Sequence, residues 1–146
     1  MLNQSCLFDI GGVRMSGLAV LGDLCMYAPS VISSAFDDFV KVIIINMNNR
    51  MWAKVVNNAL WSFGELCNQC IGKPQGLLPY QDKLWMSIIP LVLSQEVGIV
   101  ENAATTMGRL SRVDGKGFGI EGAVQGNVEV WMSGIGQIAD RTEKVS

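Results

Sequence analysis

The chain has 146 residues, 49% of them apolar and 16% charged, with no histidine and a formal net charge of −2. At this length one compact domain or a short repeat array is expected, and so apolar a composition excludes a disordered chain. The mild acidity excludes a basic nucleic-acid footprint, and the missing histidine removes the Ser-His-Asp triad, the Cys-His pair and the usual zinc sites. No signal peptide is expected, because the first residues lack a basic segment followed by an apolar one. A membrane span would need ~20 consecutive apolar residues. The longest stretch free of Asp, Glu, Lys and Arg, Leu24–Phe36, is shorter and holds Pro29. The chain reads as intracellular, with its cysteines reduced.

In chain order, Val13–Leu24 (VRMSGLAVLGDL) predicts a helix. Pro29-Ser30 starts a second, running through Phe36, Phe39, Val42, Ile43 and Ile44 to about Asn46, with Asn48-Asn49 as its stop. Taken alone, Val42–Ile45 also reads as a buried strand; its place between two helical blocks favours helix. Val55–Leu66 (VVNNALWSFGEL) predicts an amphipathic helix. At 100° per residue Val55, Val56, Ala59, Leu60, Phe63 and Leu66 share an arc of about 140°, with Asn57, Asn58, Trp61, Gly64 and Glu65 opposite. Cys67-Asn68-Gln69-Cys70 closes it as a C-x-x-C. No histidine or second C-x-x-C completes a zinc site, and no strand precedes it as in a thioredoxin-like pair. Cys6, Cys25, Cys67 and Cys70 therefore read as small buried side chains.

Gly72–Gly76 is a loop by composition. Pro79-Tyr80 opens a helix through Leu84, Trp85, Ile88 and Ile89, bent at Pro90 and reaching about Leu93. In Ile99–Leu110 (IVENAATTMGRL), Ile99, Val100, Ala103, Ala104, Met107 and Leu110 face inward. Glu101, Asn102, Thr105, Gly108 and Arg109 face outward. Residues 114–126, DGKGFGIEGAVQG, stand where a full helix should follow. Their G-x-G-x-x-G, Gly117–Gly122, has no preceding strand, so dinucleotide binding is not expected. Asn127–Ile138 (NVEVWMSGIGQI) predicts a last helix, and the charged segment after Ala139 is expected to fray.

Four of these segments superimpose without gaps. Each carries an apolar residue followed by glycine (Gly22, Gly64, Gly108, Gly136), then a polar residue, then Leu or Ile. The glycines are spaced by 42, 44 and 28 residues. The first two spacings match the ~40–47-residue period of HEAT and armadillo repeats. A glycine inside a helix costs ~1 kcal/mol relative to alanine, so its recurrence predicts close helix contact. The expected fold is an all-α HEAT-repeat α-solenoid of about three antiparallel helix pairs. Residues 1–113 form the repeats and 114–146 a degenerate or partly deleted one. Neither end carries the polar face of a terminal cap, so the chain alone is expected to self-associate.

VLGDL at Val20–Leu24, NNALWSFGEL at Asn57–Leu66, Pro79-Tyr80 and ENAATTMGRL at Glu101–Leu110 resemble, in order and spacing, successive C-terminal HEAT repeats of the transportin family. These are importin-β-type nuclear import receptors (karyopherins), and the resemblance covers roughly Val13–Val113. It implies a superhelix whose second helices line a concave, cargo-binding surface. Cargo carrying a nuclear localisation signal of the proline–tyrosine type would bind there as an extended peptide. Ran GTPase would act only through N-terminal repeats absent from this chain, and the protein would shuttle between cytoplasm and nucleus. Trp61 falls on the family's tryptophan for the apolar part of the signal, and Asn57 and Asn102 on asparagines that bond the cargo backbone. Thr105 replaces an apolar contact residue of the family.

The residues alone leave Trp61 two roles, packing against a neighbouring repeat or binding a ligand. Asparagine amides suit the unpaired donors and acceptors of an extended peptide. Asp23 and Glu65 occupy equivalent positions and could attract a basic signal, but Arg109 stands third in that column. A solvated face is the plain reading of all three. Two other function classes fit: a generic HEAT-repeat interaction scaffold or non-functional truncated remnant, and a small redox protein using Cys67 and Cys70. No catalytic residue, metal, cofactor, nucleic acid or membrane partner is predicted.

Overall fold

The structure, a computed structural model, describes residues 1–49 and 51–126 together with Glu129, Met132, Ser133, Gly136 and Asp140. Leu2–Ser5 forms one turn, α1. Helix α2, Gly11–Tyr27, contains the first block and buries Leu18, Leu21 and Cys25. Its Arg14 holds the preceding chain, donating to Phe8 O at 2.6 Å and Leu7 O at 3.1 Å while lying 5.5 Å over the Trp52 ring. The helix stops at Ala28, because a following proline excludes the α region, and Ala28 adopts φ −141°, ψ 56°. Pro29 then opens α3, Pro29–Ser33, where no amide is needed.

The continuous helix expected from Pro29 to Asn46 is broken. The Ser33 and Ser34 hydroxyls bond back to Pro29 O and Val31 O, and the chain turns at Ala35 before α4, Phe36–Met47. Serine hydroxyls compete with helical amides for backbone carbonyls, which apolar periodicity does not register. Val42–Ile45 lies wholly inside α4, so it is helix. Asn46, fully buried in the same helix, donates to Val42 O at 2.8 Å and Cys6 O at 3.0 Å.

Helix α5, Ala53–Gln69, holds the second block. Asn49 sets its start by accepting the Met51 and Trp52 amides at 2.8 and 3.1 Å. The Gly72–Gly76 loop contains a 3-10 turn, Pro74–Gly76, and a second, Leu78–Tyr80, leads into α6, Gln81–Ile88. The bend expected at Pro90 is a change of pitch, with Ile89–Leu93 continuing as 3-10 helix. Helix α7, Val97–Ser111, is the third block. Beyond it Asp114 accepts the Lys116 and Phe118 amides at 2.8 and 2.9 Å, and Gly115, Gly117 and Gly119 take positive φ. That loop drops Phe118 into the core, where Trp85 Nε1 donates to its carbonyl at 2.7 Å. A short α8, Ile120–Gln125, packs on α6. The block Asn127–Ile138 and the tail after Ala139 lie outside the described residues, apart from Glu129, Met132, Ser133, Gly136 and Asp140.

Helices α2, α5 and α7 stand in a row with α5 in the middle, while α4 packs behind α5 and the 3-10 segment Ile89–Leu93 behind α7. All regular structure among the described residues is helical. This is the repeated two-layer packing of an all-α solenoid, with α5 and α7 each the second helix of its pair. Leu18, Ile43, Leu60, Phe63, Leu84, Ile88 and Leu110 are fully buried between the layers.

Place in the row decides the fate of equivalent residues. Leu18, Leu60 and Ala104 each stand four positions before their block glycine. Leu18 and Leu60 are covered by the following helix, but Ala104 is exposed. The expectation that Ala104 joins the core stripe is therefore corrected: it lies at the stripe's far edge, away from α5. Thr106, on the edge facing α5, is buried instead. On that same edge of the other blocks Ser62 is buried and Val20 is 48% exposed. Gly64 and Glu65, placed on the polar arc, are buried because α5 has a neighbour on both sides.

Candidate functional site

The row of block helices is held by a polar ladder. Asn58 Nδ2 donates to Met15 O at 3.0 Å and Ser62 Oγ to Leu18 O at 2.5 Å, joining α5 to α2. One repeat later Asn102 Nδ2 donates to Asn57 Oδ1 at 2.7 Å and Thr106 Oγ1 to Leu60 O at 3.0 Å. Asn58, Ser62 and Thr106 were not singled out as functional. Their signal was present as polar residues at matching places in successive blocks.

Trp61 is half-buried and lies against α2. A Cβ built on Gly22 would collide with its ring, so the glycine is there to receive the indole. Of the two roles open to Trp61, packing on the neighbouring repeat is present in the structure, and a partly accessible ring remains. Gly64 receives Arg109 and Thr106 in the same way, with a Cβ there 2.9 Å from the guanidinium.

The structure brings Asn57 and Asn102 together. Their bond uses one donor of Asn102 and the oxygen of Asn57. Among the described residues no protein group bonds Asn57 Nδ2 or Asn102 Oδ1. The Asn57 Nδ2 hydrogens and the Asn102 carbonyl oxygen are thus left to meet the alternating N–H and C=O of an extended chain. A cleft of about 150 Å³ beside Asn57 is lined by Ala53, Lys54, Glu96, Gly98 and Ile99. Thr105, one turn along α7 from Asn102, is exposed.

Glu65 departs from the solvated reading. It is 8% exposed, and its Oε1 accepts from Arg109 at 2.8 Å, with Asn68 at 3.4 Å from Oε2. Its charge is matched inside the protein. Arg109, read as spoiling an acidic column, is the partner that lets Glu65 be buried. Asp23, in the equivalent position on α2, is exposed.

The four cysteines are buried and free. Burial pushes Cys6 and Cys70 up to about 11 and Cys25 up to about 12, and raises Cys67 as well. A redox or metal-binding cysteine requires a thiolate near neutral pH, and these thiols are moved the other way. Among the described residues no cluster of three or more His, Cys, Asp or Glu is placed to hold a metal ion.

No family model and no solved structure matches the chain. It is 31% identical to transportin-1 of human and of mouse over 156 residues, covering 99% of this chain and 16% of each relative. Rice transportin-1 is 33% identical over 116 residues, 75% of this chain and 13% of the relative. The chain belongs to the transportin family. It spans about one-sixth or less of the length of these transportins.

Proposed function

We propose that this transportin-family chain contributes cargo-binding repeats to nuclear import, its partner a nuclear localisation signal of the proline–tyrosine type. The signal lies extended across α5 and α7. Its backbone bonds Asn57 and Asn102, an apolar side chain rests on the accessible part of Trp61, and Thr105 borders the track. The exposed Asp23 draws basic residues of the signal, whereas Glu65 acts through Arg109 by keeping α5 and α7 in register. Residues 1–113 supply this face, and 114–146 form the shortened repeat beyond it. The receptor shuttles between cytoplasm and nucleus and responds to Ran through repeats outside this chain. An interaction role without enzymatic chemistry accords with the transportin relatives.

The observation that carries this reading is the Asn57–Asn102 pair, 2.7 Å apart across two repeats, with the Asn57 amide nitrogen and the Asn102 carbonyl oxygen unused by the bond. Titration of a proline–tyrosine signal peptide tests it. Binding should weaken several-fold in Asn102→Ala and in Trp61→Ala, with helical circular dichroism retained. Equal binding to wild type and both variants, or none to wild type, contradicts the site.

A further inference from the structure

Between the ends of α2 and α5 the packing leaves a cavity of about 450 Å³. Its walls come from the last turn of α2, from α3, from the first residue of α4, from the end of α5 and from the Gly72–Gly76 loop. Every wall is thus formed where consecutive helices of the chain pack on one another. The floor is Cys25, Ile32, Leu66 and Cys70, all buried. Phe36 closes one side by lying on Gly76, where a Cβ would stand 2.7 Å from its ring.

The mouth is polar, with Ser30, Ser33, Gln69 and Lys73 exposed around it. Among the lining residues Lys73 alone carries a charge. Its ammonium stands close enough to Cys70 to act on the thiol: burial raises Cys70 to about 11, and Lys73 opposes the rise. Among the described residues no carboxylate pairs with Lys73, the two ion pairs being Arg14–Asp9 and Arg109–Glu65. Asp37, the neighbour of Phe36, does not line the cavity and accepts from the Tyr80 hydroxyl at 3.1 Å. An apolar floor therefore lies beneath one unneutralised cation and a free carboxamide.

We propose that this cavity binds a medium-chain fatty acid, with the hydrocarbon chain on the floor and the carboxylate at Lys73 and the Gln69 amide. An enclosed apolar space with a few convergent polar groups is the general form of a small-molecule site. The floor selects hydrocarbon, because its only polar atoms are thiols, which are weak hydrogen-bonding groups. The mouth selects a monoanion, because one ammonium matches one carboxylate and would leave a phosphate dianion half-compensated. The Ser33 hydroxyl already donates to Pro29 O at 3.3 Å, so Gln69 Nε2 is the donor left to assist Lys73. The site shares no residue with the Asn57–Asn102 pair, so it stands or falls apart from peptide binding.

Octanoate titrated into the whole chain tests this, followed by calorimetry and by the methyl resonances of Ile32 and Leu66. One octanoate should bind per chain and shift both side chains. Hexanoate should bind roughly ten-fold more weakly, the loss expected from two fewer buried methylenes. Lys73→Gln, an exposed substitution whose fold circular dichroism verifies, should weaken octanoate several-fold. Octan-1-ol should bind wild type more weakly than octanoate does, and Lys73→Gln no differently from wild type. Ser30→Trp, with a ring across the mouth, should abolish binding, and Gln69→Trp serves as a second block. Absence of saturable binding overturns the proposal, as do equal octanoate affinities for wild type and Lys73→Gln. Octan-1-ol as tight as octanoate, no dependence on chain length, or shifts that leave Ile32 and Leu66 unmoved also overturn it.

Discussion

Trp61 and Gly22 form a pair in which the smallest residue exists to receive the largest. Gly22→Ala would drive a methyl into the indole, and overpacking of this kind costs ~1–3 kcal/mol. Gly108→Ala adds the same methyl where there is room, and helix propensity should then make it stabilising by up to ~1 kcal/mol. Thermal denaturation of the two variants should move in opposite directions. Arg109→Ala leaves the Glu65 carboxylate buried without its cation, a loss of ~1–3 kcal/mol for a partly accessible pair. Glu65→Gln in the same background should recover part of that loss in urea unfolding.

At the scale of elements, the cross-helix hydroxyls of Ser62 and Thr106 set the register between repeats. Ser62→Ala and Thr106→Val should each cost ~1 kcal/mol, read as a shift of the unfolding midpoint at constant denaturant slope. The three block helices are legible in the sequence because glycine, polar residue and Leu or Ile recur at fixed places over an amphipathic stripe. The break at Ser34–Ala35 was not, since it arises from serine hydroxyls bonding local carbonyls in a segment whose apolar spacing continues unbroken. Nor could the stripe alone separate Leu60 from Ala104. They hold the same place on the helical wheel, but on α5 that edge faces α7, which covers Leu60. The candidate site was legible in part. Asn57 and Asn102 meet across α5 and α7, whereas Trp61 packs against Gly22 of α2. The burial of Glu65 depends on Arg109 reaching it from the next repeat, a contact spanning 44 positions that local pattern does not contain.

Across the whole molecule, the four buried thiols link stability to alkaline pH. Cys6, Cys25 and Cys70 are held at about 11 to 12, above an ordinary value of 9.0, and Cys67 is raised as well, so the folded state holds protons that the unfolded chain releases. Stability from this source is intact below pH ~9 and falls as pH rises toward the folded values, by at most about 1.4 kcal/mol per pH unit for each thiol. Denaturant midpoints measured from neutral to alkaline pH should decline above pH ~9, and thiolate absorbance should appear together with unfolding. Side by side, the block helices α5 and α7 present one polar face. That face, formed by neighbouring repeats, is the one we propose meets cargo.

The most direct test is nuclear magnetic resonance of the side-chain amides and indoles while a proline–tyrosine signal peptide is added. The Asn57 and Asn102 amides and the Trp61 indole should shift together and saturate at one peptide per chain, with Trp85, buried against Phe118, unmoved. Shifts confined to other residues, or none at saturating peptide, would contradict the assignment of this face to cargo.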